Sequence, residues 1–597
     1  MAIINLPLES LNGTPILGES KFLDFLKQNL DNNYEIFIQP KINIDTPDVV
    51  LVKQSGGIVL INFCDVSSLK DKTRLHPSIR LKNYKENLIN LHIPNLLQSV
   101  YKDVNYKSII SCLLIITHDE DANVSFNNYS ADIDVFTESN ITKEKIDLYL
   151  NRQRVSINNS YFKNEFYLSI KNFLIPNFHS LNEGIEVNLT KQQNNLVLSK
   201  PGEQKIRGVV GSGKTMILVH RAVHAHKRTN KNVLILTYNY ALKDYMRKKL
   251  SEVKEDFSWG FFDISNFHDF INSALNNSSI KVNIPDDFKN LNDNDRKSAI
   301  EELYYGSRSV LRDFKDELKK YSTILIDEVQ DYQTSWLRLI KECFLEENGE
   351  FVVFGDSKQD IYNRVNFINN KKELIIPDSV GRWNDLNKSF RLTPTITAFA
   401  SAFQQRVMSV KHNIDIFEPS NFQASIFDKV YYKFFRQLNY EKIAEFINDY
   451  LNITKADLND TCVLSTSIEI IRNVDFYYRM KSKNKSYIMS ETEEVFQKFK
   501  SDNNILPFTE LKKIRKNKKN NFQVNSGLIK FSTIHSYKGW EAKTLFLIVN
   551  YYESMEDVYK ELIYTGFTRC SNNLVILNIN DTILDSFVKE LEYVEYV

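Results

Sequence analysis

The octapeptide GVVGSGKT, residues 208–215, constrains the fold of this chain more than any other segment. It overlaps KIRGVV, which can form a strand, and precedes MILVHRAVHAHK, which has helical spacing. Glycines in a strand–loop–helix turn let consecutive backbone N–H groups face a phosphate, and the helix N-terminus adds partial positive charge. The pattern G-x-x-x-x-G-K-T therefore predicts a nucleotide phosphate-binding loop.

Each part of this loop has a predicted role in binding ATP and Mg²⁺. Lys214 can reach the β- and γ-phosphates, and the Thr215 hydroxyl can bind Mg²⁺. The loop residues that would surround the phosphates are Gly208, Gly211, Ser212, Gly213, Lys214 and Thr215.

Two further segments place polar side chains at the ends of apolar strands. TILIDEVQD (323–331) ends its apolar run in Asp327 and Glu328. The Asp can hold Mg²⁺ and the Glu can act as general base on the attacking water, although an exposed acidic strand end is the alternative. EFVVFGDSKQDIY (350–362) carries Gln359 just past its apolar run, where it can orient water or sense the γ-phosphate.

Composition limits the other functional classes. The 597 residues predict two to four domains, and a net charge of +1 means that any polyanion-binding surface must be local. The five cysteines form no CxxC pair, which argues against zinc or iron–sulfur sites and for a reducing cytoplasm. We find no signal peptide pattern and no apolar run that reaches membrane-spanning length, so we expect no membrane partner. His220 and His224 form an i, i+4 pair, but the sequence indicates no third metal ligand.

A basic run, LKKIRKNKKNNF (511–522), interrupts the neutral composition. Its simplest interpretation is a solvated or mobile loop. The alternative is a loop that contacts phosphates.

Several ordered motifs resemble those of superfamily 1 helicases of the UvrD/Rep type, over about residues 186–580. Two of them are the strand segments described above, TILIDEVQD (323–331) and EFVVFGDSKQDIY (350–362). The others are LTKQQNNLV (189–197), LNKSFRLTPTI (386–396), FSTIHSYKGWEAKTLFLI (531–548) and ELIYTGFTRCSNNLVIL (561–577). ILTYNYALKDYMRKKL (235–250) and ISNFHDFI (264–271) resemble the segments of that family that touch single-stranded DNA.

The resemblance implies an α/β fold with two RecA-like parallel-sheet motor domains, which follow a small N-terminal α/β domain that is restriction-endonuclease-like. The alternation of strands and helices from residue 206 favours such parallel sheets independently. The expected domains are 1–180, 186–384 with a small helical insertion near 271–320, and 385–597 with little or no large insertion.

The same resemblance assigns roles around the nucleotide. Arg391 and Arg569 would act as arginine fingers that stabilise transition-state charge and couple domain closure to hydrolysis. Phe390 would stack on the base, Gln193 would bind the adenine edge, and Glu541 would hold the ribose or link the nucleotide to nucleic acid.

The resemblance also implies which aromatic and polar residues contact the nucleic acid. Base stacking tolerates any sequence, which suits a translocase. The implied contacts are Tyr238, Asn239, Phe267, His268, Tyr362, Arg364, Thr533, His535 and Lys538. Tyr238 and Phe267 could instead be core residues. Arg364 stands where the family often has an aromatic, and an Arg can stack and also pair with phosphate.

Residues 18–64 resemble a nuclease-related (NERD-like) domain of the PD-(D/E)xK class. Asp48 starts a strand, and the next strand should end in E-x-K but has Asn62 and Cys64 at those two positions. An amide is a weaker Mg²⁺ ligand than a carboxylate, and a thiol supplies no cation. We expect a degenerate module that binds DNA or protein, and the alternatives are an active nuclease and an unrelated α/β domain.

Together these features predict an ATP-dependent DNA translocase or helicase that acts on single-stranded DNA, with RNA a less favoured substrate. The resemblance implies 3′ to 5′ movement and a setting in DNA repair or anti-phage defence. The alternatives are an ATP-switched DNA-sensing or protein-remodelling subunit with a partner effector, and a nuclease–helicase with an active N-terminal domain.

Overall fold

The computed structural model contains two compact units, which we describe separately. The first comprises Met1–Leu181, Glu255–Lys320 and Glu342–Phe344, and the second comprises Asn182–Lys254, Tyr321–Lys341 and Leu345–Val597. The residues described are 2–5, 17–117, 132–175, 177–362, 366–368, 371–373, 376, 382–409, 418–419, 429–501, 508–522, 526–552, 556 and 558–597.

The first unit is built on a mixed six-stranded sheet. Its strands pair in chain order, and they are Ile3–Asn5, Tyr34–Ile38, Val49–Lys53, Gly57–Asp65, Ile110–Thr117 and Ile133–Thr137. The three central pairings differ in direction: Tyr34–Ile38 and Gly57–Asp65 both run antiparallel to Val49–Lys53, whereas Gly57–Asp65 is parallel to Ile110–Thr117. All eight residues of Ile110–Thr117 are buried, as expected for a strand covered on both faces.

Helices and short elements cover this sheet and extend the unit. The helices are Leu17–Asn29, Val66–Lys70, Pro77–Asn87, Leu96–Lys102, Lys143–Arg152, Asn164–Leu174, Phe267–Asn277 and Asp293–Tyr305. The remaining strands are Phe178–His179, Phe257–Ser258 and Phe262–Asn266. The helix Pro77–Asn87 is followed directly by a π-helical turn, Leu88–His92. Two apolar clusters include side chains from alternate positions of the central strands.

The second unit contains a parallel sheet that carries the glycine loop. Five of its strands pair in parallel in the order Val233–Thr237, Tyr321–Ile326, Leu345–Gly355, Gly202–Gly208 and Trp383–Leu386. The helices Lys191–Val197, Lys214–Thr229, Leu242–Ser251 and Thr334–Phe344 belong to the same stretch of chain. Because parallel strands end at one edge, the glycine loop after Gly208 and the acidic residues after Ile326 lie at that common edge.

A second sheet of the same unit has seven strands, all parallel. Their order is Ser486–Ile488, Ile529–Thr533, Thr461–Ser465, Ala542–Asn550, Cys570–Ile579, Lys429–Phe435 and Val594–Tyr596. The accompanying helices are Pro394–Phe403, Tyr440–Thr454, Ile468–Ser482, Glu493–Ser501, Phe508–Asn520, Ile534–Tyr537, Tyr559–Phe567 and Thr582–Lys589. Apolar clusters lie on both faces of this sheet.

These observations confirm the predicted α/β fold class with parallel sheets of RecA-like character. One local prediction is wrong: the basic run is not a loop, because residues 508–520 form a helix. The three-domain division stays a prediction. Among the described helices, none combines the length and the apolar character that a bilayer crossing requires.

Candidate functional site

The glycine loop joins the strand Gly202–Gly208 to the helix Lys214–Thr229. Gly211 and Gly213 have φ of +73° and +86°, which side-chain-bearing residues rarely adopt. A Cβ at Gly211 would lie 2.6 Å from the Cβ of Arg391, and one at Gly213 would lie 2.8 Å from the Gln193 amide nitrogen. The loop therefore requires glycine at both positions for backbone and packing reasons together.

The Lys214 ammonium lies over its own loop. It donates to the carbonyl oxygen of Gly208 at 2.8 Å and to that of Val209 at 3.3 Å. Because these are weak neutral acceptors compared with a phosphate, an incoming triphosphate can replace them.

Three buried carboxylates face this lysine from neighbouring strands. Burial and the adjacent Glu328 raise the pKa of Asp327 to about 7, although Lys214 opposes the shift. Burial also acts on Glu328, but Lys538, Lys214 and Arg569 outweigh it and hold the pKa of Glu328 below its usual range. Lys214 and Lys358 similarly hold the pKa of Asp356 low despite its burial. Glu328 is thus kept ionised, whereas Lys214 and Lys538 do not outweigh the effects of burial and of Glu328 on Asp327.

The backbone at Glu328 is strained in a way typical of functional sites. Its φ and ψ are 51° and 49°, the left-handed region, in a residue that is not glycine. The Gln330 amide donates to the Glu328 carboxylate at 2.5 Å and accepts from the backbone N–H of Asp356 at 3.1 Å. Gln330 therefore fixes the carboxylate of Glu328 relative to the neighbouring strand.

Gln359 joins the first sheet to Arg569 from the second. Its amide donates to Asp356 at 2.8 Å, and its oxygen accepts from the Arg569 guanidinium. Burial, with Arg391 nearby, lowers the pKa of Arg569 to about 10. Arg569 is therefore a buried cation held beside the carboxylates and close to a second guanidinium.

Arg391 forms an ion pair with Glu541, with 2.7 Å between Nε and Oε2. Burial alone would lower the pKa of Arg391, but Glu541 raises it above its usual range, and Arg391 in turn holds the pKa of Glu541 low. The preceding residue, Phe390, donates its backbone N–H to the Gly211 carbonyl at 2.9 Å. This bond holds the Phe390–Arg391 segment against the glycine loop.

Most of these groups line one cavity of about 330 Å³. It is lined by Val210, Gly211, Ser212, Gly213, Lys214, Thr215, Met216, Tyr245, Lys249, Asp327, Glu328, Gln359, Phe390, Arg391, Gly539, Glu541, Arg569 and Ser571. Tyr245 and Lys249 were not anticipated from the sequence, although their four-residue spacing places both on one face of the helix Leu242–Ser251.

Residues 194–364 match a family described as an AAA domain, a domain found in UvrD/Rep-like superfamily 1 helicases. This segment is a P-loop NTPase domain. The matched segment holds the P-loop, both acidic residues and Gln359, whereas Arg391, Glu541 and Arg569 lie beyond it. A search of curated proteins gave no match.

The residues around the cavity fit a nucleotide with Mg²⁺. The N–H-rich loop, Lys214 and two guanidiniums supply positive charge for phosphates, and Thr215 with Asp327 supplies the two oxygen ligands expected of a Mg²⁺ site. Gln193, expected at the adenine edge, instead donates to the Ser212 carbonyl at 3.1 Å and forms a capping box with Thr190. Its role in base recognition stays a prediction.

Three of the residues predicted to bind nucleic acid form an aromatic group in the second unit. The ring centroids of Tyr238 and Tyr362 are 4.9 Å apart, and those of Tyr362 and His535 are 5.7 Å apart. Tyr238 also stacks on Trp336 at 6.3 Å. Each of the three predicted residues keeps part of its surface exposed, so the group can offer ring faces to a base.

Other predicted contacts point inward in this arrangement. The Asn239 amide donates to the Ser536 and Lys538 carbonyls, both at 3.0 Å, and Lys538 is buried against Asp331. Phe267 is fully buried and packs on Tyr305, so its ring is a core ring with no face for a base.

The remaining predicted contacts have intermediate environments. His268 packs beside Tyr305 at 5.1 Å, and Thr533 caps the short helix Ile534–Tyr537 by accepting from the Ser536 N–H. Arg364 lies outside the described residues. The nucleic-acid roles of these positions stay predictions.

The histidine pair of the P-loop helix does not form a metal site in the part of the chain described. His224 Nδ1 lies 2.9 Å from the Val197 carbonyl oxygen. No group of three His, Cys, Asp or Glu side chains suited to hold a metal occurs among the described residues.

In the first unit, the residues at the nuclease-like positions bind other groups of the protein. The Asp48 carboxylate accepts from the Phe63 N–H at 2.9 Å and from the Arg80 guanidinium at 3.4 Å. The Asn62 side-chain oxygen accepts from the Asp48 N–H at 3.3 Å, and Cys64 is buried. A guanidinium therefore lies where a catalytic metal would need the carboxylate, so these residues do not fit a metal-dependent nuclease site.

Proposed function

We propose that this protein is an ATP-driven translocase on single-stranded DNA. The observation that carries the proposal is the cavity in which the P-loop, Asp327 and Glu328 meet Arg391 and Arg569, which come from the second-sheet region. An NTPase that only binds nucleotide needs no such guanidiniums from a second sheet, whereas a motor uses them to convert the state of the γ-phosphate into relative movement.

The chain's own residues supply the elements of hydrolysis. Glu328, kept ionised by surrounding cations, can accept a proton from the attacking water, and Gln359 can orient that water. Lys214, Arg391 and Arg569 oppose the charge that develops on the transferred phosphoryl group. Bound Mg²⁺ would neutralise phosphate charge, with Thr215 and Asp327 as its protein ligands.

A series of contacts connects the nucleotide cavity with the residues that we assign to nucleic-acid binding. Arg569 bonds to Gln359, the Gln359 carbonyl accepts from Lys538 at 2.7 Å, and Lys538 lies three residues after His535. A change at the γ-phosphate that moves Gln359 would therefore move the segment that carries His535. This segment contributes to the aromatic group that we assign to base stacking.

The 3′ to 5′ polarity and a setting in repair or anti-phage defence rest on the resemblance to UvrD/Rep-type helicases alone. The first unit would serve as a binding module that does not cut, because Arg80 and the Phe63 N–H already engage Asp48.

The test measures the ATPase rate with single-stranded DNA, duplex DNA, single-stranded RNA or no nucleic acid. We expect the strongest stimulation by single-stranded DNA and complete loss of turnover in Lys214→Ala. Lys227→Ala, an exposed lysine of the same helix, is the matched control and should behave as the unmodified protein. A lack of stimulation by any nucleic acid would favour an ATP-switched subunit that works on a protein partner.

A further inference from the structure

The helix Phe508–Asn520 carries the basic run, and nothing in the nucleotide site uses it. Four of its cations, Lys512, Arg515, Lys516 and Lys519, follow i, i+3, i+4, i+7 spacing and so share one face. The helix is held in place at its end: Phe522 is buried and packs on Trp540 at 4.6 Å, and the Tyr487 hydroxyl donates to the Lys518 carbonyl at 2.6 Å.

The cationic face contacts the segment that follows the first-sheet strand Val233–Thr237. The Lys516 ammonium is 5.0 Å from the centre of the Tyr240 ring, two residues after Tyr238. Burial lowers the pKa of His535 to about 4, and the charges of Lys519 and Lys538 contribute to this shift. Because Lys519 shares the cationic face with Lys516, it lies on the side of the helix that contacts Tyr240, next to the segment that carries Tyr238.

The charges on this face are not compensated equally. Arg515 forms two 2.7 Å bonds with the buried carboxylate of Glu491, and Lys513, on another face, pairs with Glu510 at 3.0 Å. Lys519 has no carboxylate partner among the residues described, and burial with Arg515 nearby lowers its pKa to about 8. The next residue, Asn520, has a buried amide nitrogen without an acceptor in the same set of residues. A half-buried cation without a carboxylate partner and a buried donor without an acceptor lie at one helix end, and this combination suits an anionic oxygen ligand.

We propose that Lys519 binds a backbone phosphate of single-stranded nucleic acid whose bases stack on the Tyr238, Tyr362 and His535 group. This assignment rests on the proposed function and adds a phosphate contact from a helix that the family resemblance does not include. Alternation of stacking rings with a cation at their border is the arrangement that a single strand requires. Because phosphate is common to all sequences, the contact contributes affinity without sequence preference.

The experiment compares Lys519→Met with Lys513→Met, both in the full chain, by fluorescence anisotropy of labelled dT, dA and rU 15-mers over a range of salt concentrations. We expect Lys519→Met to weaken binding of all three oligomers about tenfold, the size of one charge-assisted bond. We also expect the slope of log K against log salt to fall in magnitude by about 0.7, one released counterion. Lys513→Met should change the affinity less than about twofold, because its charge is already paired on another face.

Lys519→Arg, which keeps the charge, should retain the salt slope and so separates lost charge from misfolding, and thermal unfolding of each variant checks the fold. Equal affinities and slopes for Lys519→Met and Lys513→Met would overturn the assignment while leaving the proposed function standing. Failure of the unmodified protein to bind any oligomer would overturn both.

Discussion

The ammonium of Lys538 lies 2.7 and 2.8 Å from the two carboxylate oxygens of Asp331, and both side chains are 1% exposed. Asp331 follows the strand Tyr321–Ile326 of the first sheet, and Lys538 follows Ile529–Thr533 of the second. With the Gln359 carbonyl as its third acceptor, Lys538 is a buried link between the two sheets. Its expected role as a nucleic-acid contact therefore does not fit this arrangement, in which no N–H of the ammonium is left for phosphate.

Removing one partner of this ion pair should destabilise the second unit strongly. Lys538→Met leaves the Asp331 carboxylate buried without a cation, a change that typically costs about 3–5 kcal/mol. The double variant Lys538→Met with Asp331→Leu should recover much of that loss, because no unpaired charge remains. Urea unfolding of the single and double variants measures the coupling energy, and simple additivity of the two single effects would contradict the proposed link.

Loss of either cavity arginine should lower turnover more than nucleotide binding. Arg569→Ala and Arg391→Ala are each expected to reduce kcat about a thousandfold, because these guanidiniums would oppose transition-state charge. Nucleotide affinity, measured with a fluorescent ATP analogue, should change far less than kcat. Arg436→Ala, which removes an exposed arginine after the strand Lys429–Phe435, is the control. An equal loss of affinity and kcat would assign these residues to ground-state binding.

Asp327→Asn should stabilise the nucleotide-free protein, and the gain should depend on pH. The folded pKa of about 7 lies above the ordinary value of about 3.9, so the native state of the unmodified protein holds an extra proton between these values. Stability therefore falls as pH rises from about 4 to about 7, and the full penalty is present above pH 7. Asn cannot ionise and avoids the penalty.

Differential scanning calorimetry without nucleotide or Mg²⁺ tests this dependence. The Tm gain of Asp327→Asn should be about 2 to 4 °C larger at pH 8 than at pH 5. Asp24→Asn, an exposed position of the first unit, should show no such difference. A gain that is the same at both pH values would contradict a raised pKa at Asp327.

Asp48→Asn should change stability little and should not change any DNA cleavage. The substitution removes the charge that pairs with Arg80 and weakens the acceptor for the Phe63 N–H, but burial raises the pKa of Asp48, so removal of the buried charge offsets this loss. Unfolding of the first unit in urea and a Mg²⁺-dependent plasmid cleavage assay are the two measurements. Cleavage by the unmodified protein that disappears in Asp48→Asn would restore the nuclease hypothesis.

Local sequence patterns predicted the elements that carry the site. The apolar runs before Asp327 and Gln359 correspond to two strands of the first sheet, and KIRGVV corresponds to the strand Gly202–Gly208. The prediction of a loop for the basic run is wrong, because six cations in twelve residues leave little apolar surface to indicate a helix. That helix is fixed by contacts distant in sequence, among them Arg515 with Glu491 and Phe522 with Trp540.

The sequence by itself determined the P-loop, because its chemistry depends on residues that are consecutive in the chain and on two glycines whose backbone conformation is local. The order of the motifs, through the resemblance to superfamily 1 helicases, likewise predicted that Arg391 and Arg569 act at the nucleotide. Only the tertiary structure decided that Lys538 faces Asp331, which lies 207 positions earlier, and that Lys519 is left without a carboxylate partner among the described residues. The physical reason is that the partner of a lysine is set by burial and by which charges folding brings within a few ångströms, and neither is encoded in the spacing of neighbouring residues.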